Sequence, residues 1–138
     1  MRILAADYGD ARTGLAVCDS NETIASPIGN AEGKGLFAVA SSTAAKALER
    51  GAGMIVVGLP VNMDGTEGFQ AQKVRDFCRQ LEIAGLNVAF QDERLSTVTA
   101  ENALIEGGMS RDGRKQNVDK VAAAVILQQW LDNKQQEG

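Results

Sequence analysis

The chain contains no histidine, and this absence removes more chemistry than any other feature of its composition. Ser-His-Asp and Cys-His nucleophile systems are excluded, as is any zinc site built on imidazole. The two cysteines, Cys18 and Cys78, have neither a metal-ligand spacing nor a disulfide-rich setting, so both are expected to be reduced core residues. Long apolar runs are also missing, and the N-terminus lacks the pattern of a secretory signal. Neither membrane insertion nor export is expected, and the expected location is cytoplasmic. Basic residues are outnumbered by acids, for a net charge of -4 and a pI near 4.8. That balance argues against coating nucleic acid by bulk attraction, but it permits a local basic patch beside an acidic metal site.

What is present suffices for one well-buried core: 138 residues, 44% of them hydrophobic, read as a single domain spanning 1–138. Ile3 to Ala6 is too short for a helix and suits a strand buried on both faces, and it ends abruptly in Asp7. Leu15 to Cys18 can pair back as a hairpin, and Thr23 to Gly29 reads as an edge strand because of Pro27. Helical period over Lys34–Arg50 uses Leu36, Val39, Ala40, Ala44, Ala47 and Leu48, with Gly51 as the stop. Met54 to Leu59, closed by Pro60, has the pattern of a central parallel strand.

Thr66 is a good N-cap for a helix whose apolar face is Val74, Phe77, Cys78 and Leu81. Asn87 to Gln91 is a further strand, running into Asp92, Glu93 and Arg94. A short helix is expected from about Ser96 to Glu106, and the polar, aperiodic stretch Met109–Asn117 is expected to be a mobile loop. The last helix is expected from about Val118 to Asn133, with Asp119 opening it at the head of its apolar stripe. There is no internal repeat or low-complexity segment.

This order of elements predicts an α/β fold: a five-stranded mixed sheet, three antiparallel strands then two parallel, with helices on both faces. Ligands collect beyond the carboxyl ends of parallel strands in such sheets. Asp7, Glu93 and Asp119 could therefore converge on one rim. Clustered carboxylates repel one another unless a cation neutralises them, and oxygen donors favour Mg2+ or Mn2+. Two such ions about 4 Å apart activate water and stabilise the leaving oxygen in phosphodiester hydrolysis. Each acid also has a plain structural reading: Asp7 as a turn residue, Glu93 paired with Arg94 or a lysine, Asp119 favoured by the positive end of its helix.

Four ordered segments, D-Y-G-D-A-R-T-G (7–14), G-L-P-V-N-M-D-G-T-E-G (58–68), D-E-R-L-S-T (92–97) and V-D-K-V-A-A-A-V-I-L-Q (118–128), resemble the YqgF family. That family belongs to the RNase H-like superfamily and is similar to the RuvC Holliday junction resolvases. The resemblance covers nearly the whole chain and implies an RNase H-like sheet, with Asp7, Glu93 and Asp119 as catalytic acids that also hold the metal. It further implies a nuclease maturing the 5′ end of pre-16S rRNA in ribosome biogenesis, or a resolvase cutting four-way DNA junctions. The partner implied is then pre-rRNA, free or within a ribosomal precursor particle, or branched DNA, met by a monomer or a homodimer. The family's dense Lys/Arg run before the last acid is diluted here, which bears on affinity rather than on chemistry.

Arg12, Lys73, Arg94, Arg111, Arg114, Lys115 and Lys120 are the candidate substrate-binding cations, positioning a phosphate backbone without reading sequence. Arg75 and Arg79 are read as ordinary surface. Tyr8 is the only aromatic expected near the rim, so base stacking looks minor. Two other classes stay open. The Asp-x-Gly and Thr-Gly of the opening loop resemble the phosphate hairpin of actin-like and sugar-kinase nucleotide binders, although those close two domains over ATP. A non-catalytic RNA-binding assembly factor would also suit the acidic pI.

Overall fold

The computed structural model describes residues 2–92 and 111–137, the side chains of 111–120 and 135–137 excepted. Its strands β1 (Arg2–Asp7), β2 (Thr13–Cys18) and β3 (Ala25–Ala31) form an antiparallel meander. Helix α1 (Leu36–Glu49) leads to β4 (Ala52–Leu59), which pairs parallel to β1, and α2 (Phe69–Ile83) leads to β5 (Val88–Asp92), which pairs parallel to β4. The last helix, α3, is Arg111–Glu137. The sheet order is β3-β2-β1-β4-β5, which makes β1 the middle strand and β3, with Pro27, an edge. The expected mixed sheet, three antiparallel strands then two parallel, is the one observed.

Strand alternation divides the core in two. Leu4 and Ala6 face α1 and α2 together with Ile55 and Val57, while Ile3 and Ala5 join Val56 beneath α3. Phe77, Val74, Cys78 and Leu81 of α2 are fully buried, as their period requires. Cys18 and Cys78 are both buried free thiols, and burial pushes Cys78 up to about 12, so it stays protonated and inert at neutral pH. Among the described residues no helix is long and apolar enough to cross a membrane.

Three expectations need correction. Arg111–Asn117 is not a loop but the opening turns of α3. Arg, Lys and Gln are good helix formers, a single Gly113 costs about 1 kcal/mol, and adding turns to an existing helix is far easier than starting one. Thr66 is not an N-cap: Gly68 is, and α2 starts at Phe69. The Thr66 hydroxyl instead donates to Asp64 Oδ1 at 2.7 Å and accepts from Asn62 Nδ2 at 3.0 Å, closing a turn of its own. Leu48 is 83% exposed rather than core, and the inward position is held by Thr43, whose hydroxyl donates to the Val39 carbonyl at 2.8 Å. The helix expected over 96–106 lies outside the described residues.

Candidate active site

The carboxyl ends of β1, β4 and β5 lie side by side, because Ala6 pairs with Val57 and Leu59 with Asp92. Asp7 ends the middle strand, is partly buried, and sits opposite Gly14 in the register of β2. It follows Ile3 and Ala5 in the alternation of β1, which aims it to the face that α3 covers. Tyr8, the next residue, goes to the other face and stacks on Phe77 at 4.8 Å between ring centroids. Burial, and secondarily the Asp10 charge, hold the Tyr8 hydroxyl above its ordinary pKa, so it is a neutral packing group.

Two contacts shape the loop after Asp7. The Gly9 N–H donates to the hydroxyl of buried Thr13 at 3.4 Å, and a side chain at Gly9 would bring its Cβ to 2.5 Å from the Arg12 carbonyl oxygen. Only glycine lets the turn close this tightly. Lys73 on α2 then ties the loop down, donating to both Asp10 carboxylate oxygens at 3.1 and 3.2 Å. Lys73 therefore faces the rim, as considered from its place near the start of α2. Arg12 lines a cleft of about 290 Å³ formed by Tyr8–Thr13 together with Ala31, Gly33–Gly35 and Val39.

The other sequence-predicted residues are placed only in part. Glu93 and Arg94 lie outside the described residues, immediately beyond Asp92 at the end of β5. Asp119, Arg111, Arg114, Lys115 and Lys120 have described backbone on α3 but no described side chains. Asp119 is the ninth residue of α3, two turns past its start, where the helix dipole has already faded, so the helix-terminus explanation for this acid fails. Four to eight residues later come Ala123, Ile126 and Leu127, all buried against the sheet. Gln128 bonds the first residue of β3, and Lys134 reaches Glu22 in the β2–β3 turn. The C-terminal half of α3 is thus anchored at the end of the sheet remote from Asp7. Among the described residues, no three His, Cys, Asp or Glu side chains form a group able to hold a metal ion.

Three residues around this rim went unassigned from sequence: Thr13, which holds the loop; Lys34, which lines the Arg12 cleft; and Phe69 at the start of α2. Phe69 could have been noticed, since it falls outside the apolar period of its helix. Arg75, read as plain surface, makes two bonds to Glu67 at 2.7 and 2.8 Å and lies over the Phe90 ring. It braces the loop before α2 against β5.

A mixed sheet with acids at the carboxyl rim and a helix laid across one face defines an RNase H-like α/β protein. Solved structures agree on the fold. RuvC of Thermus thermophilus, in complex with a Holliday junction substrate, superposes with a TM-score of 0.62 over 99% of this chain and 96% of its own, at 14% identity. The fowlpox virus resolvase, also with junction DNA, gives 0.58 over 97% and 99% at 11% identity. Within that class the chain belongs to the RuvX family, described as Holliday junction resolvase, which matches residues 1–133. Relatives include proteins named "Putative pre-16S rRNA nuclease" from Anaeromyxobacter, 45% identical over 97% of this chain and 98% of the relative, and from Rhodospirillum centenum, 43% identical over 98% and 75%.

Proposed function

We propose that this chain is a single-domain, metal-dependent endonuclease of structured nucleic acid, processing the 5′ end of pre-16S rRNA. The observation that carries the reading is the position of Asp7, a carboxylate ending the middle strand of an RNase H-like sheet on the face crossed by the helix that bears Asp119. Asp7, Glu93 and Asp119 are the residues that would hold Mg2+ or Mn2+, since carboxylate oxygens are the donors such ions prefer. Bound there, one or two ions would supply water activation and charge stabilisation at the scissile phosphate.

The chain's own residues position the substrate. Arg12, Lys73 and the basic residues of the first three turns of α3 neutralise backbone phosphates around the rim. Lys73 can exchange its Asp10 partner for a phosphate, because that pair is exposed and weakly bound. The RNA substrate is favoured by the names carried by relatives above 40% identity. The description of the RuvX family supports a second reading, resolution of four-way DNA junctions.

The test is one cleavage panel: precursor ribosomal RNA beside a four-way DNA junction, with magnesium or manganese, comparing the native protein with Asp7→Asn. Metal-stimulated cleavage of the RNA that the variant lacks is the expected result. Junction cutting without RNA cutting would transfer the assignment to the second reading, and binding without any metal-stimulated cleavage would reduce the chain to an assembly factor.

A further inference from the structure

Phe69 is 80% exposed, and it is the first residue of α2, directly after the Gly68 cap at the carboxyl rim. Single exposed apolar residues are ordinary, so exposure alone means little. Position separates this ring from the others. Leu48 and Ile83 lie in the last turns of their helices at the opposite end of the sheet, Ile24 lies in the β2–β3 turn, and Phe37 sits beside Asp76 and Arg79. Phe90 of β5 is only 38% exposed beneath Arg75, and Met63, which shares the β4–α2 loop with Phe69, is not aromatic. Phe69 stands where ligands of this sheet class collect.

The ring is also linked to the site. The Lys73 ammonium lies over it, 4.9 Å from the centroid, and the same ammonium holds the Asp10 carboxylate. Asp10 is three residues beyond Asp7, at most about 11 Å of extended chain. A single lysine therefore spans the gap between the aromatic face and the loop that leaves the catalytic strand. The residues flanking Phe69 along the chain, Asp64 to Gly68 and Gln70, are polar or glycine, and Met63, the other exposed apolar side chain of this loop, has no ring. A single planar ring with polar flanks suits a partner with one flat apolar face and polar edges. A nucleobase has that shape, whereas a protein partner would need a wider apolar patch.

Building on the nuclease reading above, we propose that Phe69 is a stacking platform for one unpaired base of the substrate, beside the scissile phosphate at the rim, with Lys73 bridging ring and backbone. Phosphate contacts along the rim carry no base information, so this platform selects substrates that present an unpaired nucleotide beside the cleavage position. The ring bears on little else, so its removal leaves the fold alone.

The experiment measures equilibrium binding of the full chain, in calcium buffer, to a precursor ribosomal RNA fragment in which single abasic sites are walked along the unpaired segment. Phe69→Ala should weaken binding to intact RNA about tenfold. One abasic position should weaken the native protein by a similar factor and leave Phe69→Ala unaffected, while Phe69→Trp restores base-dependent binding. The melting temperature of each variant should match the native protein. Equal binding by Phe69→Ala and native protein overturns the platform, as does additive loss at every abasic position. A change in oligomeric state with RNA binding intact would overturn it too, by assigning the ring to a protein contact. Failure of the native protein to bind any nucleic acid sinks the nuclease reading itself, an outcome distinct from loss of the platform alone.

Discussion

At the end of the sheet where β2 turns into β3, Asp19 accepts the Thr23 and Ile24 N–H groups at 2.7 and 3.1 Å and the Thr23 hydroxyl at 2.6 Å. Gln128 of α3 spans the Ala25 N–H and the Thr23 carbonyl at 3.0 and 2.9 Å, and Lys134 pairs with Glu22 at 3.0 Å. The turn and the helix are sewn together by polar groups that satisfy one another. At the opposite rim, the loop after Asp7 is fastened by an exposed ammonium–carboxylate pair, and Phe69 and Met63 stand 80% and 76% exposed. Both ends contain acids, lysines and tight turns. The difference lies in burial and opening: the far turn is tied to the packed half of α3, whereas the rim loop lines an open cleft. Asp19 takes three hydrogen bonds from its own turn, whereas Asp7 is placed by the buried middle strand that it ends.

The largest effect that would break this contrast belongs to Asp7. Asp7→Asn should reduce metal-stimulated cleavage to background while shifting the melting temperature by no more than about 3 °C. Activity at the native level would mean that the rim is not the reaction centre. Gly9→Ala comes next. A Cβ at 2.5 Å from the Arg12 carbonyl forces the backbone of the loop to move. A stability loss of about 1–3 kcal/mol is expected, together with an activity loss of about 10- to 100-fold from misplacing groups near the reaction. Denaturant unfolding and cleavage rates read the two separately. Loss of stability alone would show that the loop shape matters to folding and not to the site.

Much of this architecture was legible because burial leaves periodic traces. Ile3 to Ala6 and Met54 to Leu59 are apolar without alternation because both faces of a central strand are covered, and Pro27 marks an edge because its missing N–H needs no partner there. Asp7 stood out as a charge ending such a run. The misses share the opposite cause, since local chemistry that buries nothing leaves no period. The polar opening of α3 is held in helix by propagation from the packed part of Ala122–Leu131 and by good formers. At about 40 Å, α3 is twice the length of the six-residue β1, about 20 Å, so part of it runs beyond the sheet. Thr66 satisfied the composition of a cap but found Asp64 and Asn62 first. Leu48 follows Ala47, which is fully buried, and the helical step of about 100° turns it off the buried face that Val39, Ala40, Thr43 and Ala47 share. Of the candidate site, strand ends located Asp7, but no sequence pattern tells that Lys73 holds Asp10.

At the far turn the effects should be on stability alone. Gln128→Ala removes both bonds that join α3 to the start of β3 and should cost about 1 kcal/mol in denaturant unfolding, with the cleavage rate unchanged. A loss of cleavage equal to that at the rim would mean that α3 transmits its anchoring to the site.

The smallest effect is expected at Asp19, and pH makes it visible. Hydrogen bonds from the Thr23 hydroxyl, then from the Thr23 and Ile24 N–H groups, lower this carboxyl from 3.8 to about 2 in the folded state. Between those values the unfolded chain binds more protons than the folded one, so stability from the ionised group is complete above about pH 5 and fades as pH falls through the folded value. Asp19→Asn keeps an acceptor but cannot titrate. Its melting temperature should lie a little below that of the native protein at neutral pH, and the gap should narrow steadily as the pH is lowered toward 2. A gap independent of pH would mean that the turn depends on the shape of the acceptor and not on its charge. The cleavage rate at neutral pH should be the same for both proteins, because the charge at Asp19 is spent on its own turn.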